Sequence, residues 1–211
     1  MPERAFLRAQ VEACFDDFDI RAVKLGMLAT ADVIGVVDAL LAAQRDVPLV
    51  LDPVMVATSG AKLLADDALD ALRTRLLPRA TIATPNLPEA ELLLGMRIES
   101  VAAMRDAADA ILACGAHAVL LKGGHLAAGD VVVDVFADGA GLHEIAHPRL
   151  ALEAHGTGCT LASAIAARLA LGDDVRTACI AASDYVHRAL LGAYRPGRGD
   201  VVVLDHFGAA R

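Results

Sequence analysis

The chain has 211 residues, a length that suits one α/β domain, and 56% of them are apolar, which is enough to bury a sizeable core. Aromatic residues make up only 3%, so that core must be built from aliphatic side chains, as in helices packed on an inner sheet. The net charge is −8 and no basic patch stands out, which argues against nucleic acid as the main partner.

The first part of the chain alternates between predicted helices and short strands. Helices are predicted over residues 2–15, 32–45, 66–77, from 87 onwards and over 101–114. Strands are predicted over residues 22–25, 48–51, 81–83 and 118–121. These strands are mostly continuous apolar runs, which is typical of parallel strands that are covered on both faces. The pattern therefore predicts a mainly parallel sheet between two layers of helices.

The last part of the chain follows a different pattern. Residues 131–136 and 142–145 flank a glycine-rich turn and predict an antiparallel hairpin. Two alanine-rich helices are predicted over 158–171 and 175–193, and the apolar run 201–204 is predicted as a last strand. We expect residues 1–211 to form a single α/β domain, a three-layer αβα sandwich.

The cysteines and the apolar runs indicate where such a protein acts. The four cysteines are scattered, with no C-x-x-C pair, and no histidine cluster has the spacing of metal ligands. Scattered cysteines without a recognisable secretion signal are typical of the reducing cytoplasm. No apolar run approaches the roughly 18 residues that cross a bilayer. We therefore expect a cytoplasmic protein that does not enter a membrane.

Polar residues and glycines follow the predicted parallel strands. Open parallel sheets bind ligands beyond the carboxyl ends of their strands. These ends carry Gly26-Met27, Asp52-Pro53, Thr84-Pro85-Asn86 and Lys122-Gly123-Gly124. A carboxylate, an amide, an ammonium group and several glycines are thus expected at one rim. This set suits a nucleotide with its metal ion.

The most informative motif is Gly156-Thr157-Gly158-Cys159, at the start of a predicted helix. The glycines let the backbone approach a ligand, and the helix start offers free N–H groups and a positive dipole end. A phosphoryl group would be stabilised there. In the first helical turn the pKa of a thiol tends to fall, so Cys159 could accept a proton from a substrate hydroxyl. The alternative is a helix start with a small buried cysteine, and a short glycine motif alone does not decide between the two.

The polar strand ends also allow two interpretations each. Asn86 and Glu89 have the spacing of a helix cap, with Pro88 in the first turn, or they could hold Mg²⁺ through waters. Asp52 could form a turn with the proline that follows it, or it could orient the metal. Lys122 could be a solvated lysine at a strand end, or it could pair with phosphates.

Five segments together resemble the hydroxymethylpyrimidine/phosphomethylpyrimidine kinases of the ribokinase-like superfamily. They are KLGML (24–28), LDPVMVATSG (51–60), TPNLPEA (84–90), LKGGH (121–125) and HGTGCT (155–160). They follow one another in the family's order along most of the chain. Sugar and nucleoside kinases of the superfamily usually carry Asp where Cys159 stands, so the cysteine favours the vitamin-precursor branch.

The resemblance implies a ribokinase-like fold and an activity. The protein would transfer the γ-phosphate of ATP, with Mg²⁺, to 4-amino-5-hydroxymethyl-2-methylpyrimidine and/or to its monophosphate in thiamine biosynthesis. The implied roles are Cys159 as base, Gly156, Thr157 and Gly158 as anion hole, Lys122, Asp52 and Thr157 at the ATP phosphates, Asp52, Asn86 and Glu89 at Mg²⁺, and Met27 and Val54 at the pyrimidine. The family resemblance also implies a homodimer.

One feature departs from the family. Its members usually begin with a strand, a Gly-Gly-Ala-Gly turn, a helix and lid strands that carry a pyrimidine-contacting glutamine, whereas Met1 falls after that segment. We therefore expect an N-terminally truncated chain that lacks about 30 residues or more and part of the acceptor pocket. Two other functions stay open: a pyridoxal or pyridoxine kinase, and a non-catalytic nucleotide-binding remnant.

Overall fold

The computed structural model describes residues 3–56, 63–126, 129–152 and 154–210. The helices are α1 (Arg4–Asp17), α2 (Ala31–Leu41), α3 (Asp66–Ala71), α4 (Leu87–Leu94), α5 (Val101–Ala113), α6 (Thr157–Ala170) and α7 (Val175–Leu191). The strands are β1 (Val23–Leu25), β2 (Leu49–Leu51), β3 (Ile82–Ala83), β4 (Ala118–Leu121), β5 (Val131–Asp138) and β6 (Gly141–Pro148). Residues 57–60 of the second family segment lie outside the described residues.

The six strands form one sheet in the order β1-β2-β3-β4-β5-β6. Strands β1 to β4 are parallel, and β5 and β6 run antiparallel as a hairpin. Lys24 pairs with Val50, and Ala83 pairs with Val119, so the carboxyl ends of the four parallel strands reach the same rim. The predicted parallel sheet and hairpin are confirmed.

Two separate apolar cores cover the two faces of this sheet. Leu51 and Val119 belong to the core that the sheet shares with α2 to α5. Val50 and Leu120, their neighbours in sequence, belong to the core that the sheet shares with α6 and α7. Because successive strand residues point to opposite faces, a continuous apolar strand fills both cores. The three-layer αβα architecture is therefore confirmed.

The segment predicted as one helix over 66–77 is divided. After α3 the chain forms a π-helical turn over Leu72–Leu76 and a 3₁₀ turn over Leu77–Arg79. Pro78 has no N–H to donate, so a regular α-helix cannot continue through it. The leucines of the π-helical turn and Leu77 are buried in the first core.

The prediction of a last strand over 201–204 is wrong. Val202 and Val203 form only isolated bridges, to Ala154 and Tyr194, outside the six-stranded sheet. Leu204 is buried beside Ala189 of α7. The run is apolar because it packs under the end of a helix, not because it joins the sheet. Among the described residues, no helix is long and apolar enough to cross a bilayer.

Candidate active site

The carboxyl ends of β1 to β4 are tied together by backbone hydrogen bonds. The N–H of Asp52 donates to Leu25 O over 2.9 Å, and the N–H of Thr84 donates to Leu51 O over 2.9 Å. The N–H of Lys122 donates to Pro85 O, also over 2.9 Å. These bonds extend the parallel ladder past the strands and fix the positions of the polar residues that follow. The predicted rim of polar groups is therefore present.

Asp52 lies at the centre of this rim and is only 1% exposed. Its Oδ1 is 3.0 Å from Lys122 Nζ and accepts a hydrogen bond from Thr84 Oγ1 over 3.4 Å. Its Oδ2 is 3.5 Å from Lys24 Nζ, and no group among the described residues donates a hydrogen bond to it. A buried carboxylate requires a compensating cation, and here two are present. The three charged side chains leave one net positive charge at the rim.

Two glycines leave room for these ammonium groups. A Cβ atom on Gly26 would lie 2.9 Å from Lys24 Nζ. A Cβ atom on Gly158 would lie 3.0 Å from Lys122 Nζ. The second distance also shows that the start of α6 lies directly against Lys122. The predicted motif and the predicted rim are thus brought together in space.

The start of α6 has the geometry of an anion site. Gly156 is the N-cap residue, with φ of 82° and ψ of 4°, a left-handed conformation that favours glycine. The N–H of Thr160 donates to Gly156 O over 2.9 Å, which closes the first turn. No side chain among the described residues caps the helix, so the first N–H groups stay available to an anion. The conformation predicted for this motif is therefore present, while its role as an anion hole stays a prediction.

Cys159 lies in the first turn of α6, but its pKa is not lowered as expected. The residue is exposed as a whole, yet the surrounding atoms shield its thiol from part of the solvent. This desolvation and the charge of Asp52 raise the pKa of the thiol, while Lys24 and Lys122 act in the opposite direction. The expected fall in pKa is wrong for the protein without ligands. Burial and a nearby carboxylate outweigh the two lysines.

Asn86 and Glu89 form a complete capping box at the start of α4. Asn86 Oδ1 accepts a hydrogen bond from the N–H of Glu89 over 2.9 Å, and Glu89 Oε2 accepts one from the N–H of Asn86 over 2.8 Å. The structural interpretation of this pair is confirmed. The pKa of Glu89 is raised by burial, and the charge of Lys122 offsets part of this increase.

The same residues also determine whether this rim could hold a metal ion. In the described ranges, no group of three or more His, Cys, Asp or Glu residues could hold one. Two buried carboxylates, Asp52 and Glu89, are nevertheless close enough to influence each other's charge. Mg²⁺ usually binds one or two carboxylates and takes its other oxygens from phosphates and waters. The residues therefore fit a magnesium ion that is held mainly by a bound nucleotide.

A cavity of about 300 Å³ opens next to Lys122, between the hairpin, α6 and α7. Its polar lining includes Lys122, Thr157, Asp134, His147, Ser183 and His187. Ser183 Oγ is buried and has no hydrogen-bond partner among the described residues, so a ligand could supply one. Burial raises the pKa of Asp134, whose Oδ1 accepts a hydrogen bond from the N–H of Gly123 over 2.8 Å.

Met27 and Val54 lie away from this cavity, after β1 and β2. Met27 is exposed and Val54 is half-buried. They follow strands at the end of the sheet farthest from the hairpin, whereas the cavity adjoins β4, β5 and β6. Their predicted contact with a pyrimidine stays a prediction.

Three groups that the structure places at or near the site were not predicted from the sequence. Lys24 contacts Asp52, and Asp134 and Ser183 line the cavity. A signal for Lys24 was available, because a lysine in the middle of a three-residue apolar strand requires a partner. The cavity residues come from a strand and a helix whose separate patterns contain no sign of a shared ligand.

The comparisons with known proteins agree with this geometry. The pattern of the family described as phosphomethylpyrimidine kinase matches residues 1–204. The chain belongs to this family. It is 47% identical over 201 residues to the hydroxymethylpyrimidine/phosphomethylpyrimidine kinase of Streptomyces coelicolor, covering 95% of this chain and 73% of that protein.

Solved structures show the ribokinase-like fold of this kinase. An ADP complex of Bacillus subtilis pyridoxal kinase superposes with a TM-score of 0.90 at 31% identity, covering 99% of this chain and 78% of that one. A phosphomethylpyrimidine kinase from Clostridium difficile superposes with a TM-score of 0.78 at 35% identity, covering 90% and 77%. The chain is a phosphotransferase of this kinase family, whose phosphate donor is ATP.

Proposed function

We propose that this kinase transfers the γ-phosphate of ATP to 4-amino-5-hydroxymethyl-2-methylpyrimidine and then to the resulting monophosphate, as a step of thiamine biosynthesis. The position of the Lys122 ammonium group carries this proposal. It lies 3.0 Å from Asp52, lies against Gly158 at the start of α6, and lines the cavity. The Lys122 ammonium group is therefore close to the buried carboxylate of Asp52, to the anion site at the start of α6 and to a cavity whose size suits part of a nucleotide.

The nucleoside of ATP would occupy the cavity, and its phosphates would pass Lys122 towards the start of α6. Gly156, Thr157 and Gly158 would donate backbone hydrogen bonds to the transferred phosphoryl group. Such positioning and charge stabilisation account for most of the catalysis of phosphoryl transfer. Bound Mg²⁺ would neutralise charge on the phosphates, with Asp52, Asn86 and Glu89 holding it mainly through waters.

Cys159 would act as the base that takes the proton of the acceptor hydroxyl. Because its pKa is raised, the thiolate is scarce at neutral pH in the free enzyme but is a stronger base once formed. Lys24 and Lys122 partly offset this increase in pKa. The hydroxyl proton would pass to the cysteine as the oxygen attacks the γ-phosphorus. Met27 and Val54 would hold the pyrimidine ring on the β1 side of the rim.

A pyridoxal kinase is the second candidate. The high TM-score with the Bacillus subtilis pyridoxal kinase favours it. A higher kcat/KM for pyridoxal than for the hydroxymethylpyrimidine would establish this alternative. A homodimer, which the resemblance implies, and a cytoplasmic location, which the scattered cysteines indicate, stay predictions.

The proposed function is tested by measuring ADP release with ATP, Mg²⁺ and the hydroxymethylpyrimidine, with products identified by mass spectrometry. We expect turnover by the wild type and a loss of about 10²- to 10⁴-fold in kcat for Cys159→Ala, with ATP binding retained in calorimetry. Arg97→Met is the control, because this side chain is 82% exposed and pairs with Glu91, which lies outside the candidate site. Binding of ATP without any ADP release from the wild type would show a non-catalytic remnant.

A further inference from the structure

The two acceptors differ in charge and in their need for a base. The hydroxymethyl compound is neutral at its reacting group, and its hydroxyl must lose a proton. A phosphate monoester carries about −1.5 to −2 charges at pH 7, because its second pKa is near 6. Its attacking oxygen is therefore already ionised. A site that serves both transfers needs a base for the first and an additional cation for the second.

The two lysines at the rim differ in their position relative to the cavity proposed for the nucleoside of ATP. Lys122 lines the cavity, whereas Lys24 is absent from its lining among the described residues. Lys24 belongs to β1, at the opposite end of the parallel strands from β4. Its ammonium group is 3.5 Å from Asp52 Oδ2, against 3.0 Å between Lys122 and Oδ1. Its side chain is 22% exposed, compared with 14% for Lys122, so the Lys24 ammonium group is the looser and more accessible of the two.

Lys24 is also close to the groups that would hold the acceptor. Gly26 leaves space directly beside its ammonium nitrogen, and Met27 follows in the chain. Lys24 is close enough to Cys159 for its charge to lower the pKa of the thiol, and this effect is larger than that of Lys122. A group that lies between Met27 and the start of α6 would therefore lie near this lysine.

We propose that Lys24 binds the phosphate of the monophosphate acceptor and so determines whether the second transfer occurs. This inference rests on the function proposed above. Lys24, Asp52 and Lys122 together carry one net positive charge, and Lys24 is the lysine of this group that does not line the cavity. A neutral acceptor has no use for this charge at its reacting group, while an anionic acceptor does.

The chemical steps assign different residues to the two transfers. In the first, the hydroxyl oxygen bonds to the γ-phosphorus, the bond from that phosphorus to the bridging oxygen breaks, and ADP leaves with the electron pair while Cys159 takes the proton. In the second, an oxygen of the acceptor phosphate attacks in the same way and no proton is released. Cys159 is therefore needed for the first transfer and Lys24 for the second.

The test measures the two transfers separately, starting one reaction from the hydroxymethylpyrimidine and the other from its synthetic monophosphate. For Lys24→Met we expect kcat/KM to fall about 10- to 100-fold with the monophosphate, as for a lost hydrogen bond to a charged group, and only a few-fold with the neutral acceptor. Cys159→Ala should show the reverse preference. Lys24→Arg should restore part of the second transfer.

Arg21→Met is the matched control, because it removes a positive charge before the start of the same strand, from a side chain that is 69% exposed. Lys24→Gln repeats the test with a polar side chain, and calorimetry with the monophosphate gives its Kd without turnover. Equal losses in both transfers, or no loss in either, would overturn the role of Lys24 while leaving the proposed function intact. A wild type that phosphorylates neither acceptor would instead refute the proposed function.

Discussion

Asp52 shows how a single buried carboxylate can organise a site of opposite charge. With one lysine it would form a neutral pair. With Lys122 on one oxygen and Lys24 near the other, it positions two ammonium groups and leaves a net positive charge. Loss of Asp52 would leave two partly buried cations facing each other. The carboxylate therefore acts first by positioning these lysines, whatever contact it makes with a metal.

The protonation state of the Cys159 thiol leads to a prediction about its rate of alkylation. Iodoacetamide reacts with the thiolate, and burial and Asp52 raise the pKa of this thiol. We therefore expect its alkylation rate in the unliganded protein to be low at pH 7 and to reach half of its maximum above about pH 8.5, the usual pKa of a free cysteine. Peptide mass spectrometry over a pH series would follow Cys159 separately from the exposed Cys14.

Cys179 supplies an internal control for that experiment. It is buried, and its pKa is raised by burial, so it should stay unmodified while the protein is folded. A midpoint for Cys159 below pH 8.5 would mean that the helix start and the lysines outweigh burial and Asp52. The thiol of Cys159 would then be ionised more readily before ATP binds.

Most of the site residues could be predicted from the sequence, but the contact of Lys24 with Asp52 and the direction of the pKa shift of Cys159 could not. Asp52 and Lys122 could be predicted because each directly follows a buried parallel strand, and Asn86 because it lies shortly after one. Lys24 was missed because it lies within a strand rather than after the end of one, and because its partner Asp52 belongs to another strand. The pKa of Cys159 was predicted in the wrong direction because the burial of its thiol, and then the charge of Asp52, come from residues that are far from it in sequence and close to it in space.

At the scale of elements, helix starts were predictable because the side chains that cap them are local. Thr30, Asn86, Ser100 and Asp174 each accept a hydrogen bond from the N–H three residues ahead. Residues 201–204 were misassigned because an apolar β-branched run fits a strand and also fits a packed tail. Only the partner decides between them, and the partner here is α7.

The two interpretations of Asn86 can be separated by comparing two caps. Ser100 caps α5 through one hydrogen bond of 3.1 Å to the N–H of Ala103 and is exposed. We expect Ser100→Ala to lower the free energy of unfolding by about 1 kcal/mol, and Asn86→Ala to lower it by a similar amount. Urea unfolding of both variants would measure these losses.

The activities of the same variants decide the role of Asn86. If Asn86 also serves Mg²⁺, Asn86→Ala should lower kcat and raise the Mg²⁺ concentration needed for half-maximal rate, while Ser100→Ala changes neither. Wild-type kcat and Mg²⁺ dependence in folded Asn86→Ala would leave this residue as a helix cap alone.

At the scale of the whole molecule, the site depends on both helical layers. The rim belongs to the sheet, Asn86 and Glu89 come with α4 on one face, and the anion site comes with α6 on the other. The two layers were predictable because strands that are apolar at every position must be covered twice. The packing of α1 could not be predicted in this way. Its apolar positions predict a packed helix, but α1 contributes no fully buried residue and packs on α2.

This uneven burial predicts uneven opening of the native molecule. Val50, Ile82 and Leu120, in β2 to β4, have no exposed surface, so their backbone amides should exchange with solvent only when the whole structure opens. Helix α1 covers the first core only with the half-buried Leu7 and Phe15, so its opening exposes little of that core. Hydrogen exchange followed by mass spectrometry should therefore show faster exchange in α1 than in α7, a helix of similar length that has five buried residues.

Low concentrations of urea separate local opening from global opening in the same experiment. Exchange in β2 to β4 should accelerate with urea because global opening exposes a large surface, whereas exchange in α1 should hardly respond. Helix α7 should follow the strands, since its buried face forms part of the second core. If α1 instead matched α7 both in rate and in its response to urea, α1 would belong to the same cooperative unit as the sheet, and its contact with α2 would be far stronger than its burial indicates.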